Sequence, residues 1–164
     1  MKPFVLDTNF FIQAFHAHYP MDVVPSFWQK VELLAEQNQL ISIDKVQAEL
    51  SQHENDLKDW CENKLPSDFF KDTFTVLPEY GSLANWASAP STQYTTQAIN
   101  QFLDINEADA WLVAYGLAND LSIVTYEQSA PLSKKIIKIP DVCRAFGVQC
   151  FHPIEMFRSL GVKF

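Results

Sequence analysis

Short unbroken apolar runs recur along this chain, separated by stretches with helical spacing, and that alternation constrains the fold more than any other feature. Lys2 to Leu6, Leu40-Ile41-Ser42-Ile43 and Leu121-Ser122-Ile123-Val124-Thr125 read as strands. So do two shorter pieces, Ile136-Ile137-Lys138-Ile139 and Gln149-Cys150-Phe151. Apolar residues at consecutive rather than alternate positions belong to strands covered on both faces. Strands alternating with helices predict an α/β fold, with a mostly parallel central sheet flanked by helices on both faces. At 164 residues the chain predicts a single domain, 1–164.

The helices follow from spacing and caps. Phe10 to Phe15 fits a buried turn or helix after the first strand. Ser26 reads as an N-cap, with Phe27, Val31, Leu34 and Ala35 on one face behind it. Val46, Leu50, His53 and Leu57 predict one long helix running toward Lys64. Pro66 to Pro90 is aromatic and irregular, suggesting short helices. Tyr94, Ala98, Ile99 and Phe102 give another helix, and Asn106 to Asn119 a clear one. Asp141 to Phe146 forms a helix stopped by Gly147, and Pro153 to Leu160 a last one stopped by Gly161.

The acids are placed against this frame. Asp7 ends the first strand and interrupts an apolar run from Phe4 to Ile12. Glu127 comes two residues after the strand ending at Val124-Thr125. In a parallel sheet both fall at the carboxyl ends of strands, the usual binding edge of an open α/β fold. Glu49 lies early in the helix after the second strand, and Asp109 lies in the first turn of the helix near Asn106. Both are read two ways: Glu49 as a solvated residue or a member of the edge, Asp109 as half of a capping pair with Asn106 or as a site residue. A buried carboxylate costs several kcal/mol unless a cation offsets it. Clustered carboxylates without a His or Cys pattern suit Mg²⁺ or Mn²⁺, which points to metal-assisted phosphodiester hydrolysis.

Charge enters here. The chain carries 20 acidic and 12 basic residues, a net of −8. That argues against tight metal-free binding of nucleic acid by bulk positive charge. The distribution is uneven: residues 1–130 net −12 and residues 131–164 net +4, the latter including Lys134, Lys135 and Lys138. Those three lysines could contact RNA phosphates or form a plain solvated loop.

Four stretches, in order, resemble the motifs of PIN-domain ribonucleases. Asp7-Thr8-Asn9 resembles the opening motif, and Val46-Gln47-Ala48-Glu49-Leu50 the second. Ala108-Asp109-Ala110-Trp111-Leu112-Val113-Ala114 resembles the third, and Ile123-Val124-Thr125-Tyr126-Glu127 the fourth, where the family usually has Asp. Ile139-Pro140-Asp141-Val142-Cys143 resembles a PIN-like branch catalogued as a domain of unknown function. The resemblance implies a PIN fold and a Mg²⁺- or Mn²⁺-dependent endoribonuclease, often the toxin of a VapBC-like toxin–antitoxin pair. It implies RNA as substrate, a small antitoxin as partner, and a homodimer. Carried over, Asp7, Glu49, Asp109 and Glu127 would be catalytic metal ligands, and Thr8, Asn9 and Thr125 would support them through hydrogen bonds.

Other features are bland. Asp141 reads as a cap for the helix after it, and Glu107 as a complement to a helix dipole. Cys61, Cys143 and Cys150 give no CxxC and no disulfide framework. His16, His18, His53 and His152 show no metal-ligand spacing. Trp60, Trp86 and Trp111 read as core. No apolar run approaches the roughly 18 residues of a membrane span, and Asp7 sits where a signal peptide would be uncharged, so a cytoplasmic location is expected. Two competing readings remain. One is a non-catalytic PIN-like module docking through Phe69 to Trp86. The other is a phosphatase of the haloacid-dehalogenase kind, disfavoured because Asn9 stands where that class needs a second Asp.

Overall fold

A computed structural model describes all residues, 1–164. The chain runs β1 (Phe4–Leu6), α1 (Thr8–Gln13) continuing into a π-helical turn at Ala14–His18, α2 (Pro25–Glu36), β2 (Leu40–Ile43), α3 (Asp44–Leu50) and α4 (Asp56–Lys64). Then come β3 (Phe70–Lys71), a 3₁₀ turn at Phe74–Val76, α5 (Leu77–Ala87), α6 (Thr96–Phe102) and α7 (Ala108–Asn119). β4 (Ile123–Val124), α8 (Ile139–Phe146), β5 (Cys150–Phe151) and α9 (Pro153–Ser159) complete it. The five strands form one sheet in the order β3-β2-β1-β4-β5. Every neighbouring pair is parallel, with Val5 opposite both Ile41 and Ile123. The expected α/β architecture with a parallel sheet is therefore the observed one.

Both faces of the sheet are covered. Successive strand residues point to opposite faces, yet Val5 and Leu6, Leu40 to Ile43, and Ile123 and Val124 are all buried. Phe10 and Phe11 of α1 are fully buried, and Phe10 packs near Phe27 and Phe157 with ring centroids 5.9 and 6.1 Å away. Each such ring contributes about 1.5–3 kcal/mol of burial. Trp60 and Trp111 are core residues, and Trp86 is half-buried against Phe146 and Tyr94. The segment from Phe69 to Trp86, the docking surface of the interaction-module reading, mixes buried, half-buried and exposed positions. Phe69 and Leu83 are buried and Tyr80 stacks on Trp111, leaving Phe74 and Leu77 exposed. No helix is long and apolar enough to cross a membrane.

Several local expectations are corrected. The helix expected from Val46 to Lys64 is two helices, because Asn55 breaks the run by capping α4, accepting from the Lys58 N–H at 3.1 Å. His53 lies in the exposed turn between them. α2 begins at Pro25, not after Ser26: proline takes a first-turn position where its missing N–H costs nothing. Ile136 to Lys138 is coil rather than strand, and α8 starts at Ile139 with Pro140 in its first turn. Asp141 lies inside that turn instead of capping it. Its carboxylate accepts from Ser129 Oγ and from the Ala130 N–H (2.8 Å), pinning the loop after β4. The edge strand β3 lay hidden in the irregular segment; two residues of pairing leave little periodic signal. Gly147 ends α8 as expected, in the left-handed conformation at φ +69°.

The strand order sets the position of the site. From β1 the chain moves outward through β2 to β3, then crosses back to β4 and β5 on the other side. The reversal lies between β1 and β4, and the crevice at such a switch point is where open parallel sheets bind ligands.

Candidate active site

The carboxyl edge of the sheet at the β1–β4 switch point carries Asp7, immediately after β1, and Thr125, immediately after β4. The two backbones are joined there by the Asp7 N–H donating to the Val124 carbonyl at 3.0 Å. Asp7 is buried, with one oxygen accepting from the Thr8 N–H (2.7 Å) and the other from Thr125 Oγ1 (2.8 Å). Asn9 braces this arrangement. Its Nδ2 donates to Thr125 Oγ1 at 3.2 Å, and its Oδ1 accepts from the Tyr126 N–H at 3.1 Å. Thr125 Oγ1 also accepts from the Glu127 N–H at 3.0 Å. One hydroxyl therefore ties together Asp7, Asn9 and the backbone of Glu127.

Glu49 reaches the same region from α3. Its Oε2 accepts from Thr8 Oγ1 at 2.6 Å and its Oε1 from the Ala108 N–H at 2.7 Å. The second contact explains why α7 starts at Ala108 without a local cap. Glu107 at the N-cap position makes no side-chain capping bond, and a carboxylate from another helix supplies the acceptor. The capping pair Asn106–Asp109 does not form. Glu127 acts likewise for α8, its Oε2 accepting from the Ile139 N–H at 2.9 Å. Asp7, Glu49 and Glu127 thus each satisfy an N–H in the first turn of a helix (α1, α7 and α8), where the helix dipole favours a negative charge. Asp109, in the first turn of α7, makes no side-chain hydrogen bond and is the carboxylate left free.

The charges are not balanced by bases. The ion pairs of the molecule, Lys2–Asp120, Lys58–Glu54, Lys71–Asp68 and Arg144–Asp141, all lie elsewhere. Burial pushes the Asp7 carboxyl up to about 7, with the Glu127 and Glu49 charges adding to it against the hydrogen bonds from Thr125 and Thr8. Burial and then the charges of Asp7, Glu127, Glu49 and Glu107 push Asp109 up to about 8. Burial also raises Glu49, against its bonds from Thr8 and Ala108. A group of carboxylates that repel one another and lack a cationic side chain is a setting in which a divalent ion would be stabilising.

The side chains do not close on a single point: no three His, Cys, Asp or Glu side chains stand close enough to hold one ion. The donor set still fits a hard cation. All four donors are carboxylates, and Mg²⁺-like ions are held by one or two carboxylates with water filling the other positions. Asp109, with both oxygens free, meets that requirement most directly, and Asp7 lies beside it with its oxygens held by the Thr8 N–H and Thr125 Oγ1. Glu49 has both oxygens bonded, and Glu127 has one on a helix N–H and one free.

A cleft of about 220 Å³ opens beside the acids, with Asp109, Glu127, Glu107, Lys138 and Gln101 in its wall. Of the three candidate lysines, only Lys138 lies there; Lys134 and Lys135 are exposed on the loop before it. Gln101 escaped the sequence reading because an exposed polar residue near a helix end looks like a solvent face, and Glu107, read as a complement to a helix dipole, stands in the cleft wall as well. A larger cleft of about 570 Å³ lies at the opposite, amino edge of the sheet beside Lys2, Phe4, Ser122 and Gln149, and contains none of the candidate residues. All four histidines are exposed; His152 caps α9, its Nδ1 accepting from the Ile154 N–H at 3.2 Å.

The fold is similar to that of a chain in the crystal structure of VapBC2 from Rickettsia felis bound to a DNA fragment from their promoter. The TM-score is 0.55 at 19% identity, over 91% of this chain and 97% of that one. No curated protein matches the sequence. A family model described as Domain of unknown function (DUF4411) matches residues 4–164, nearly the full length, and the chain belongs to that family.

Proposed function

We propose that the protein is a divalent-metal-dependent endoribonuclease of the PIN type, hydrolysing phosphodiester bonds in RNA with Mg²⁺ or Mn²⁺. The observation that carries this reading is the gathering of Asp7, Glu49, Asp109 and Glu127 at the β1–β4 switch point with no basic side chain paired to any of them. Asp7 and Asp109 would hold the metal, with Glu49 and Glu127 at its margin. The bound ion would supply an electrophile for the phosphate and a lowered pKa for a bound water.

The chain's own residues supply positioning. Thr125 and Asn9 hold Asp7 in one rotamer, and Thr8 does the same for Glu49. The free carboxylate of Asp109 orients the attacking water and can take its proton. Lys138, in the same cleft, offsets charge on a phosphate oxygen. An acidic protein can bind a polyanion in this way because the ion reverses the local field.

The fold shared with the VapBC2 chain supports a role as the toxin of a VapBC-like pair: a cytoplasmic homodimer held in check by a small antitoxin. A second reading has one observation behind it. Asp7, Glu49 and Glu127 already satisfy helix N–H groups, which is a structural reason for acids at these positions in a non-catalytic module. Purified protein incubated with single-stranded RNA separates the two. The ribonuclease reading predicts cleavage with Mn²⁺, none with chelator, and loss in Asp109→Asn with the fold retained. Equal cleavage by Asp109→Asn would overturn it, and no cleavage by the parent at millimolar Mn²⁺ would favour the module.

A further inference from the structure

We infer that the cleft beside Asp109 and Glu127 is a nucleobase pocket and that Gln101 determines which base it accepts. The inference rests on the ribonuclease reading for its substrate class and adds a binding site for one base of the strand being cut. The cleft shares Asp109 and Glu127 with the acid row, so a strand whose phosphate lies at the acids places a neighbouring nucleotide at its mouth.

The walls suit a flat ring. Ala98, Phe102, Ile136 and Ile137 supply apolar surface, with Phe102 and Ile137 themselves buried. At about 220 Å³ the space is smaller than the ~300–1,000 Å³ typical of a site enclosing a drug-sized ligand. It therefore takes a single ring system rather than a whole stretch of strand. A base must be unstacked to enter it, as single-stranded RNA allows.

Two groups without a role in the acid network face this space. Gln101, on the exposed side of α6, makes no side-chain hydrogen bond anywhere in the molecule, so its amide keeps both donors and its acceptor for a base edge. Lys138 sits at the N-cap position of α8, beside the Glu127 carboxylate that holds that helix's first N–H. Its ammonium serves the phosphate or a base oxygen and carries little discrimination. An amide with both donor and acceptor at fixed places distinguishes base edges, whereas an ammonium is a point charge. The pocket is anchored because its two sides are tied together: the Thr95 N–H, preceding α6, donates to the Lys134 carbonyl at 2.9 Å, and Gln93 Nε2 donates to the Pro131 and Ser133 carbonyls.

The test uses the full-length protein and a short single-stranded RNA pool randomised in sequence, with cut ends and bound fractions both read by sequencing. The parent is expected to cut, with Mn²⁺ present, with about ten-fold preference for one base next to the break, the size one well-placed polar pair supplies. Gln101→Ala is expected to flatten that preference to under about two-fold with the fold retained, since alanine suits an exposed helical position. Absence of any preference in the parent, or an unchanged preference in Gln101→Ala, overturns the inference while leaving the ribonuclease reading standing. If the parent does not cut, that reading fails; base-selective binding that depends on Gln101 would then still support the pocket, and its absence would overturn the pocket as well.

Discussion

Asp109→Asn is expected to stabilise the metal-free protein above neutral pH while abolishing its response to a divalent cation. Asp109 is largely enclosed, makes no side-chain hydrogen bond, and is pushed from 3.8 up to about 8 by burial and by the charges of Asp7, Glu127, Glu49 and Glu107. Between about pH 4 and pH 8 the folded chain keeps a proton on this carboxyl that the unfolded chain has lost, so stability falls as pH rises across that window. One pKa unit corresponds to about 1.4 kcal/mol, so a shift from 3.8 to about 8 bounds the effect at about 6 kcal/mol. Burial is the larger cause and part of the added repulsion is shared with Asp7, so removing the Asp109 charge alone recovers about 2–4 kcal/mol at pH 8.5 and little at pH 5. The amide has nearly the same shape and breaks no existing bond, so the charge is what the substitution changes. Urea denaturation in chelator at the two pH values measures this. Added Mn²⁺ should then raise the parent's midpoint by mass action and leave the variant unmoved. A variant that is equally or less stable than the parent at pH 8.5, or a gain that does not grow with pH, would refute the argument that uncompensated charge gathers at this edge.

Other substitutions probe the scaffold. Thr125→Val removes the hydroxyl shared by Asp7, Asn9 and the Glu127 N–H, leaving buried polar groups without partners; a loss of about 1–3 kcal/mol in chemical denaturation is expected, with impaired RNA cleavage. Glu49→Gln keeps an acceptor for the Ala108 N–H and a partner for Thr8, so it should leave the denaturation midpoint nearly unchanged while weakening Mn²⁺ binding. Glu49→Ala should cost about 1–2 kcal/mol, because α7 loses its only side-chain acceptor. Gly116→Ala places a methyl 2.8 Å from Ile123 Cδ1 and 3.0 Å from the Leu121 carbonyl, and should lower stability by about 1–3 kcal/mol through displacement of β4.

Much of the architecture was legible because it rests on strong local signals. Three strands buried on both faces announced themselves as unbroken apolar runs, and Gly147 marked its helix end through a backbone conformation that favours glycine. Asp7 was legible for the same reason, as a charge inside an apolar run. What stayed hidden depends on distant partners. The cap of α7 comes from Glu49, 59 residues away, and that of α8 from Glu127, so searching the residues just before each helix pointed to Asn106 and Asp141 instead. The break at Asn55 was masked by apolar spacing that happens to continue across it. β3 has only two paired residues, too few for a period. Gln101 gave no signal, since an exposed amide acquires meaning only when the loop through Lys138 closes a cleft over it.

The most direct test of the central claim is a Mn²⁺ titration of the purified parent and Asp109→Asn, with free ion followed by electron paramagnetic resonance. The parent is expected to take up Mn²⁺ at sub-millimolar concentration and Asp109→Asn to bind far more weakly. No uptake by the parent at millimolar Mn²⁺, or equal uptake by both proteins, would contradict a cation site at the junction of β1 and β4.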